Sequence, residues 1–154
     1  MTDLPILEQR RIEATVIKPI YEEMVAELGT ERAQQILGAA IRKAAIAQGA
    51  ALAGESEGGL RGFISLFERW KAGDALEVEV LHESDQRFDF NITRCRYAEM
   101  YRQMGLGEIG HLLSCGRDGA FCDGYDPKIR LERTQTIMGG ASHCDFRYTV
   151  TPDT

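Results

Sequence analysis

The 154-residue sequence has no surplus of basic charge: 18 Lys and Arg stand against 24 Asp and Glu, for a net charge of −6. A broad nucleic-acid surface needs a basic face, so nucleic acid is not an expected partner. There is no long uncharged apolar run either. The most apolar stretch, Ile36 to Ala53, is interrupted by Arg42 and Lys43 and is rich in alanine. It reads as a buried helix rather than a membrane span. The opening Met1-Thr2-Asp3-Leu4-Pro5 lacks the basic and apolar segments of a secretory leader. The expectation is a cytoplasmic protein whose thiols are reduced. Cysteine is scarce, at four residues, and no CxxC pair occurs. No glycine-rich phosphate loop or HExxH is present, and the GxSxG match at Gly54 to Gly58 falls in a loop between two helical patterns rather than at the strand-to-helix turn a nucleophile elbow needs, so ATP, zinc-protease and serine-hydrolase chemistry lose their usual markers. No repeat or low-complexity tract interrupts the chain.

What is present suits one domain over residues 1–154. Hydrophobic residues make up 44% and charged residues 27%, enough for a real core. The first half has helical periodicity. Ile12, Val16, Ile20, Met24 and Leu28 recur at helical spacing between Leu7 and Leu28. Pro19 is expected to kink or split this helix, and Gly29 to stop it. Thr30 then has the character of an N-cap. A long helix follows to about Ala53, with Ala33, Leu37, Ala40, Ile41, Ala44 and Gln48 on one side. Its small residues imply close packing against another helix, within the chain or across a homo-oligomer. Gly54 to Gly59 reads as a loop, and Leu60 to Lys71 as a third helix.

The period then changes. Leu76 to Val80 and Phe88 to Ile92 alternate strictly around a turn at Glu83-Ser84-Asp85-Gln86, which predicts a β-hairpin. Arg96 to Met104 and Gly107 to Cys122 return to helical character. Ile129 to Arg133 and Cys144 to Tyr148 alternate again, about Gly139-Gly140. The fold class expected is α+β, with N-terminal helices packed on one antiparallel sheet built from two hairpins.

Chemistry-bearing residues gather late in the chain. His111, Cys115, Asp118 and Cys122 fall at i, i+4, i+7 and i+11. On one helix they form one stripe of imidazole, thiol, carboxylate and thiol. The competing reading makes the thiols small core residues and His111 a surface residue. Cys95 sits at a strand-to-helix junction between Arg94 and Arg96, a setting that would favour the thiolate. The alternative is a buried thiol with both arginines turned to solvent. On the last strand Cys144, Phe146 and Tyr148 share one face, and His143, Asp145 and Arg147 the other. Three cysteines with one or two histidines also make a candidate zinc set, although their spacing is irregular.

The stretch from Phe90 to Tyr148 resembles the L-2-amino-thiazoline-4-carboxylic acid hydrolase family. The resemblance rests on Asn91-Ile92-Thr93-Arg94-Cys95-Arg96-Tyr97, on Cys115-Gly116-Arg117-Asp118, on Tyr125 to Thr136, and on Gly139 leading to Cys144-Asp145-Phe146-Arg147. The motif-bearing part spans residues 88–150. A more distant likeness is to the 4-vinyl-reductase-type small-molecule-binding domain, in which a cysteine precedes a Gly-aromatic-x-x-Gly element, as Cys115 precedes Gly119, Phe121 and Gly124 here. Some of those domains bind zinc through a cysteine at the position held here by Thr136, a departure that weighs against zinc.

The resemblance implies a hydrolase that opens a small nitrogen-containing ring at a cyclic amidine or isothiourea carbon, giving an N-carbamoyl amino acid. Such a reaction needs a nucleophile or base, an acid for the leaving atom, and cations for a substrate carboxylate. The assignments are Cys115 as nucleophile with Cys95 as second candidate, Asp118 holding the amidine, and His111 as proton shuttle. Arg94, Arg133, Arg147 and Asp145 are the candidate substrate-binding residues. No cofactor is expected. The alternatives are a zinc hydrolase using Cys95, Cys115 and Cys144, and a non-catalytic small-molecule-binding domain.

Overall fold

The structure, a computed structural model, describes residues 4–151, so Met1, Thr2 and Asp3 of the opening segment lie outside it. Helix α1 spans Ile6–Leu28 and α2 spans Thr30–Ala53. Only Gly29 separates them, at φ +85°. A left-handed residue reverses the chain there at no Cβ cost. Its amide donates to Val25 O at 2.9 Å, and its carbonyl accepts from Ala33 N at 3.1 Å. Thr30 is therefore the first helical residue rather than the cap.

Pro19 neither splits nor ends α1. It removes one amide donor, but Thr15 and Pro19 are both exposed, so the released carbonyl can meet water. The face of α1 also differs from expectation. Ile12, Val16, Ile20 and Leu28 are exposed, and the buried stripe is Ile6, Arg10, Ala14 and Tyr21. Helix α2 is long and apolar enough in composition to cross a membrane. In the fold it buries one face only, through Ala33, Leu37, Ile41, Ala45, Gly49 and Leu52, while Ala40 and Ala44 lie outside.

Helix α3 spans Gly59–Lys71. A short turn leads to β1, Leu76–Glu83, and β2, Arg87–Cys95, which form the first hairpin. Helix α4 is Arg96–Gln103. A wide π-type turn, His111–Cys115, precedes α5, Arg117–Tyr125, and strands β3, Ile129–Glu132, and β4, Cys144–Val150, complete the chain. The sheet order is β1-β2-β4-β3 with every pair antiparallel. This is the α+β architecture of two hairpins joined edge to edge, β2 on β4.

Alternation on β4 buries Cys144, Phe146 and Tyr148 and turns Asp145 and Arg147 to the other face. Phe146 lies opposite Phe90 with the rings stacked at 4.9 Å, and Phe63 of α3 meets Tyr148 at 4.7 Å. These aromatics form one core between the sheet, α3 and α5. A second core joins α1, α2, α4 and the segment around Leu106, Ile109 and Leu113. Trp70, Leu76 and Cys95 pack against both.

Helix α5 lies against α2 through two glycines. A Cβ at Gly124 would run into the Ile46 carbonyl, and one at Gly49 would strike the Phe121 carbonyl and come within 2.8 Å of Tyr125 N. Gly119, also in α5, has nothing within 4 Å. Gly124→Ala is expected to destabilise the fold by about 2–3 kcal/mol through forced separation of two backbones. Gly119→Ala should instead raise stability by up to about 1 kcal/mol. Urea unfolding of the two variants checks this; equal effects would mean that the helix contact is not tight.

Candidate functional site

A cavity of about 90 Å³ opens where the two cores meet. That is room for one small ring compound rather than a peptide or a nucleotide. Its apolar wall comes from Phe63, Leu66, Trp70, Phe121, Phe146 and Tyr148, with Cys95, Cys115, Cys144, Asp118 and Arg133 among them. Five chemistry-bearing side chains from five stretches of chain thus face one space. Each stretch delivers its residue for a local reason.

Cys95 ends β2 in an extended conformation and begins α4, and the Arg96 amide is tied to Ala75 O at 2.9 Å. The two flanking arginines do not serve the thiol. Arg94 is exposed and makes a two-pronged pair with Glu99, at 3.0 and 3.3 Å. Arg96 carries a buried Nε without a hydrogen-bond partner. Burial pushes the Cys95 thiol up to about 11, although the Ala98 and Tyr97 amides pull it down. The expected thiolate-favouring environment is therefore absent: desolvation outweighs the amides of the helix start, and Arg94 is paired with Glu99.

Cys115 closes the π-type turn, which the Gly116 amide pins by donating to His111 O at 2.7 Å. The wide turn breaks the helical register that sequence spacing implies. His111 is consequently exposed and does not line the cavity, while Cys115 and Asp118 do. Cys122 is buried in the aromatic core, outside the cavity lining. Burial, and then the charge of Asp118, push the Cys115 thiol up to about 12. Cys144 is raised as well, mainly by burial, and the Ile137 amide donates to its sulfur at 3.2 Å.

Asp118 lies in the first turn of α5. Arg133 Nη1 donates to its Oδ2 at 2.7 Å, while Nη2 donates to Cys115 O at 3.1 Å. The same guanidinium lies over the Phe146 ring, 5.0 Å from its centre. Burial raises the Asp118 carboxyl above the ordinary carboxylate range and Arg133 opposes that rise. Oδ1 of Asp118 accepts no hydrogen bond from the described residues, and the residue lines the cavity.

The other candidates lie elsewhere. Asp145 accepts from the Thr134 and Gln135 amides, both at 2.9 Å, and from the Thr134 hydroxyl, so it organises the loop after β3. Arg147 donates to Phe90 O at 3.0 Å and to Asn91 Oδ1 at 3.2 Å on the opposite face of the sheet. Arg94 is spent on Glu99. The set Cys95, Cys115 and Cys144 shares the cavity, yet among the described residues no three His, Cys, Asp or Glu side chains are grouped to hold a metal ion. The residues present do not fit zinc.

Sequence reasoning missed Arg10, Tyr97, Tyr101, Ser114 and Arg117, all of which line the cavity. Tyr97 donates to Trp70 O at 2.9 Å, and the Tyr101 and Ser114 hydroxyls are 2.6 Å apart. The signal for Arg10 was its place on the stripe Ile6, Arg10, Ala14, Tyr21, a charge on the face that turns inward.

A family model for L-2-amino-thiazoline-4-carboxylic acid hydrolase matches residues 9–148. No curated protein matches the chain. Among solved structures the chain is similar to the phenol-responsive sensory domain of the transcription activator PoxR, determined with phenol. The TM-score is 0.54 at 16% identity, covering 88% of this chain and 73% of that one. At that identity the likeness speaks to the fold.

Because the reactive form of a thiol is the thiolate, Cys95 and Cys115 should alkylate slowly at neutral pH. Their labelling by iodoacetamide, followed by mass spectrometry, should rise about tenfold per pH unit from 7 to 10 without levelling. A plateau near pH 8.5 would show thiols with ordinary acidity.

Proposed function

Because this chain belongs to the L-2-amino-thiazoline-4-carboxylic acid hydrolase family, we propose that it is a hydrolase that opens a small nitrogen-containing ring at a cyclic amidine or isothiourea carbon. The observation that carries this reading is the convergence of Cys95, Cys115, Cys144, Asp118 and Arg133 on one largely apolar cavity. Asp118 is the centre of the reading. Its free Oδ1 is suited to a protonated amidine nitrogen, and its held Oδ2 keeps the carboxylate oriented.

Cys115 is the proposed nucleophile. Its proton passes to Asp118, its sulfur bonds to the carbon between the ring nitrogen and ring sulfur, and the ring C–S bond breaks. The departing sulfur takes the proton from Asp118. Water then adds to the same carbon, giving one proton to Asp118 and the other to the departing Cys115 sulfur as the enzyme C–S bond breaks; a carbamoyl product and the free Cys115 thiol remain, and the proton that entered on the amidinium leaves Asp118 for solvent. Without a ligand, burial and the charge of Asp118 keep this thiol neutral, pushed up to about 12. A bound amidinium changes that. One positive charge about 5 Å away at an effective dielectric near 20 favours the thiolate by about 3 kcal/mol, roughly two pKa units. Arrival of the substrate is what activates the nucleophile.

The neutrality of all three cavity thiols also favours a second reading, a binding domain without turnover, for which the fold likeness to a sensory domain gives a precedent. A panel of cyclic amidines, isothioureas and lactams separates the two, since binding without product would remove the hydrolase reading. Given turnover, Cys115→Ala should lower it by at least about 10³-fold, roughly 4 kcal/mol. Asp118→Asn should cost at least about 2 kcal/mol of transition-state stabilisation. Cys115→Ala activity within a few-fold of the parent would exclude the thiol route and leave water attack assisted by Asp118.

A further inference from the structure

Arg10 of α1 is 3% exposed, and its Nη2 is buried without a hydrogen-bond partner among the described residues. Its other terminal nitrogen meets Glu13 only loosely, at 3.2 and 3.3 Å. Arg117, at the start of α5, reaches the same Glu13 at 3.3 Å and donates Nε to Leu113 O at 2.6 Å. Arg10 and Arg117 both line the cavity, beside Tyr97, Tyr101 and Ser114.

Two guanidiniums therefore share one carboxylate. That carboxylate is 40% exposed on its side chain, whereas the two arginines are 4% and 11% exposed. The pairing is longer than the roughly 2.7–2.9 Å of a well-made charge-assisted bond. The site has one buried positive charge more than its counterions cover, and one donor aimed at nothing. Arg133, by contrast, is committed to Asp118 and the Cys115 carbonyl.

We propose that Arg10, supported by Arg117, is an anion receptor that binds a carboxylate on the small ring compound occupying the cavity. Arg10 Nη2 supplies the free donor, and Glu13 is a loose counterion that a ligand carboxylate displaces towards solvent. This rests on the cavity being the ligand site and on the proposed carboxylated ring compound, and it assigns the residue that reads the carboxylate. Of the sequence candidates, Arg94 and Arg147 face away from the cavity and Arg133 is already paired.

The test uses two matched pairs of probes, 2-aminothiazole-4-carboxylate with its carboxamide, and benzoate with benzamide. Binding is measured by calorimetry at pH 7.5 on the full chain. The carboxylate of at least one pair should bind at least tenfold tighter than its amide. Arg10→Met should bring that ratio within twofold. Arg10→Lys, which keeps the charge but not the planar fork, should lower it at least threefold, and it serves if Arg10→Met fails to fold. Glu13→Gln should tighten carboxylate binding several-fold by removing the competitor.

No carboxylate preference in either pair, or a preference that survives Arg10→Lys unchanged, overturns the proposal. A preference for benzoate alone, with the thiazole pair unbound, supports the receptor while removing the heterocycle reading. Equal binding of thiazole carboxylate and carboxamide, with no benzoate preference, keeps the cavity and removes the receptor.

Discussion

The backbone of α5 rests on the backbone of α2 at Gly49 and Gly124, with no side chain between them. The placement of the functional residues follows from this contact. Helix α5 carries Arg117 and Asp118 in its first turn and is preceded directly by Cys115. Its far end is clamped by the glycines, and Tyr125 adds hydrogen bonds to Ser56 and Gly59. Its near end is thereby held over the seam between the two cores. Were the helices one side chain further apart, Phe121 would leave the aromatic core and Asp118 would leave Arg133. Fixing one end of a short helix in this way positions the groups at the other end, which the Arg133–Asp118 and Arg117–Leu113 hydrogen bonds then hold.

The same seam sets the electrostatics. A cavity walled mainly by aromatic and aliphatic side chains penalises every isolated charge. The thiols respond by staying protonated. Asp118 responds by pairing with Arg133, which itself lies on the Phe146 face. The Arg10 guanidinium finds only a part-share in Glu13. Burial thus has opposite consequences for the two kinds of group. It keeps the cavity thiols neutral, and it leaves a buried cation short of a counterion.

The two hairpins were legible because strict period-two alternation suits a half-buried strand and no helix, and they join in one antiparallel sheet, with β2 on β4. The first four helices were legible in extent but less so in orientation, whereas the helix expected over Gly107 to Cys122 is a π-type turn, His111–Cys115, followed by α5, Arg117–Tyr125. Ile12, Val16 and Ile20 are four apart and look like a core stripe, yet they face out, because the helix turns Ile6, Arg10, Ala14 and Tyr21 inward. An arginine on the buried side defeats any argument that sorts residues by polarity. The π-type turn at His111–Cys115 is a second blind spot. It changes the rotation per residue within five positions, so spacing through it joins residues that do not share a face. Cys115 and Asp118 kept their association because both lie at or beyond the turn's end, whereas His111 lost it. Arg94 and Arg147 were misplaced for a simpler reason: neighbours in sequence along a strand project to opposite sides of the sheet.

Charge balance ties the two ends of the cavity together. One pole is the paired Asp118 with its open Oδ1, and the other is the guanidinium pair served by a single partly exposed glutamate. A neutral ring fills the apolar middle and leaves both poles as they were. A ring that carries a carboxylate at one end and an amidine at the other answers both, because each of its charges meets an opposite one already desolvated by the fold. The cost of drying the cavity's charges was met when the chain folded, and the ligand contributes only its own desolvation. In the proposed reaction the order of events then follows from burial alone: the carboxylate anchors, the amidine reaches Asp118, and the arriving cation brings the Cys115 thiol within range of ionisation. Under that proposal a compound lacking the cationic end would bind and leave the thiol protonated, so binding of a ring and its opening would be separable at one cavity.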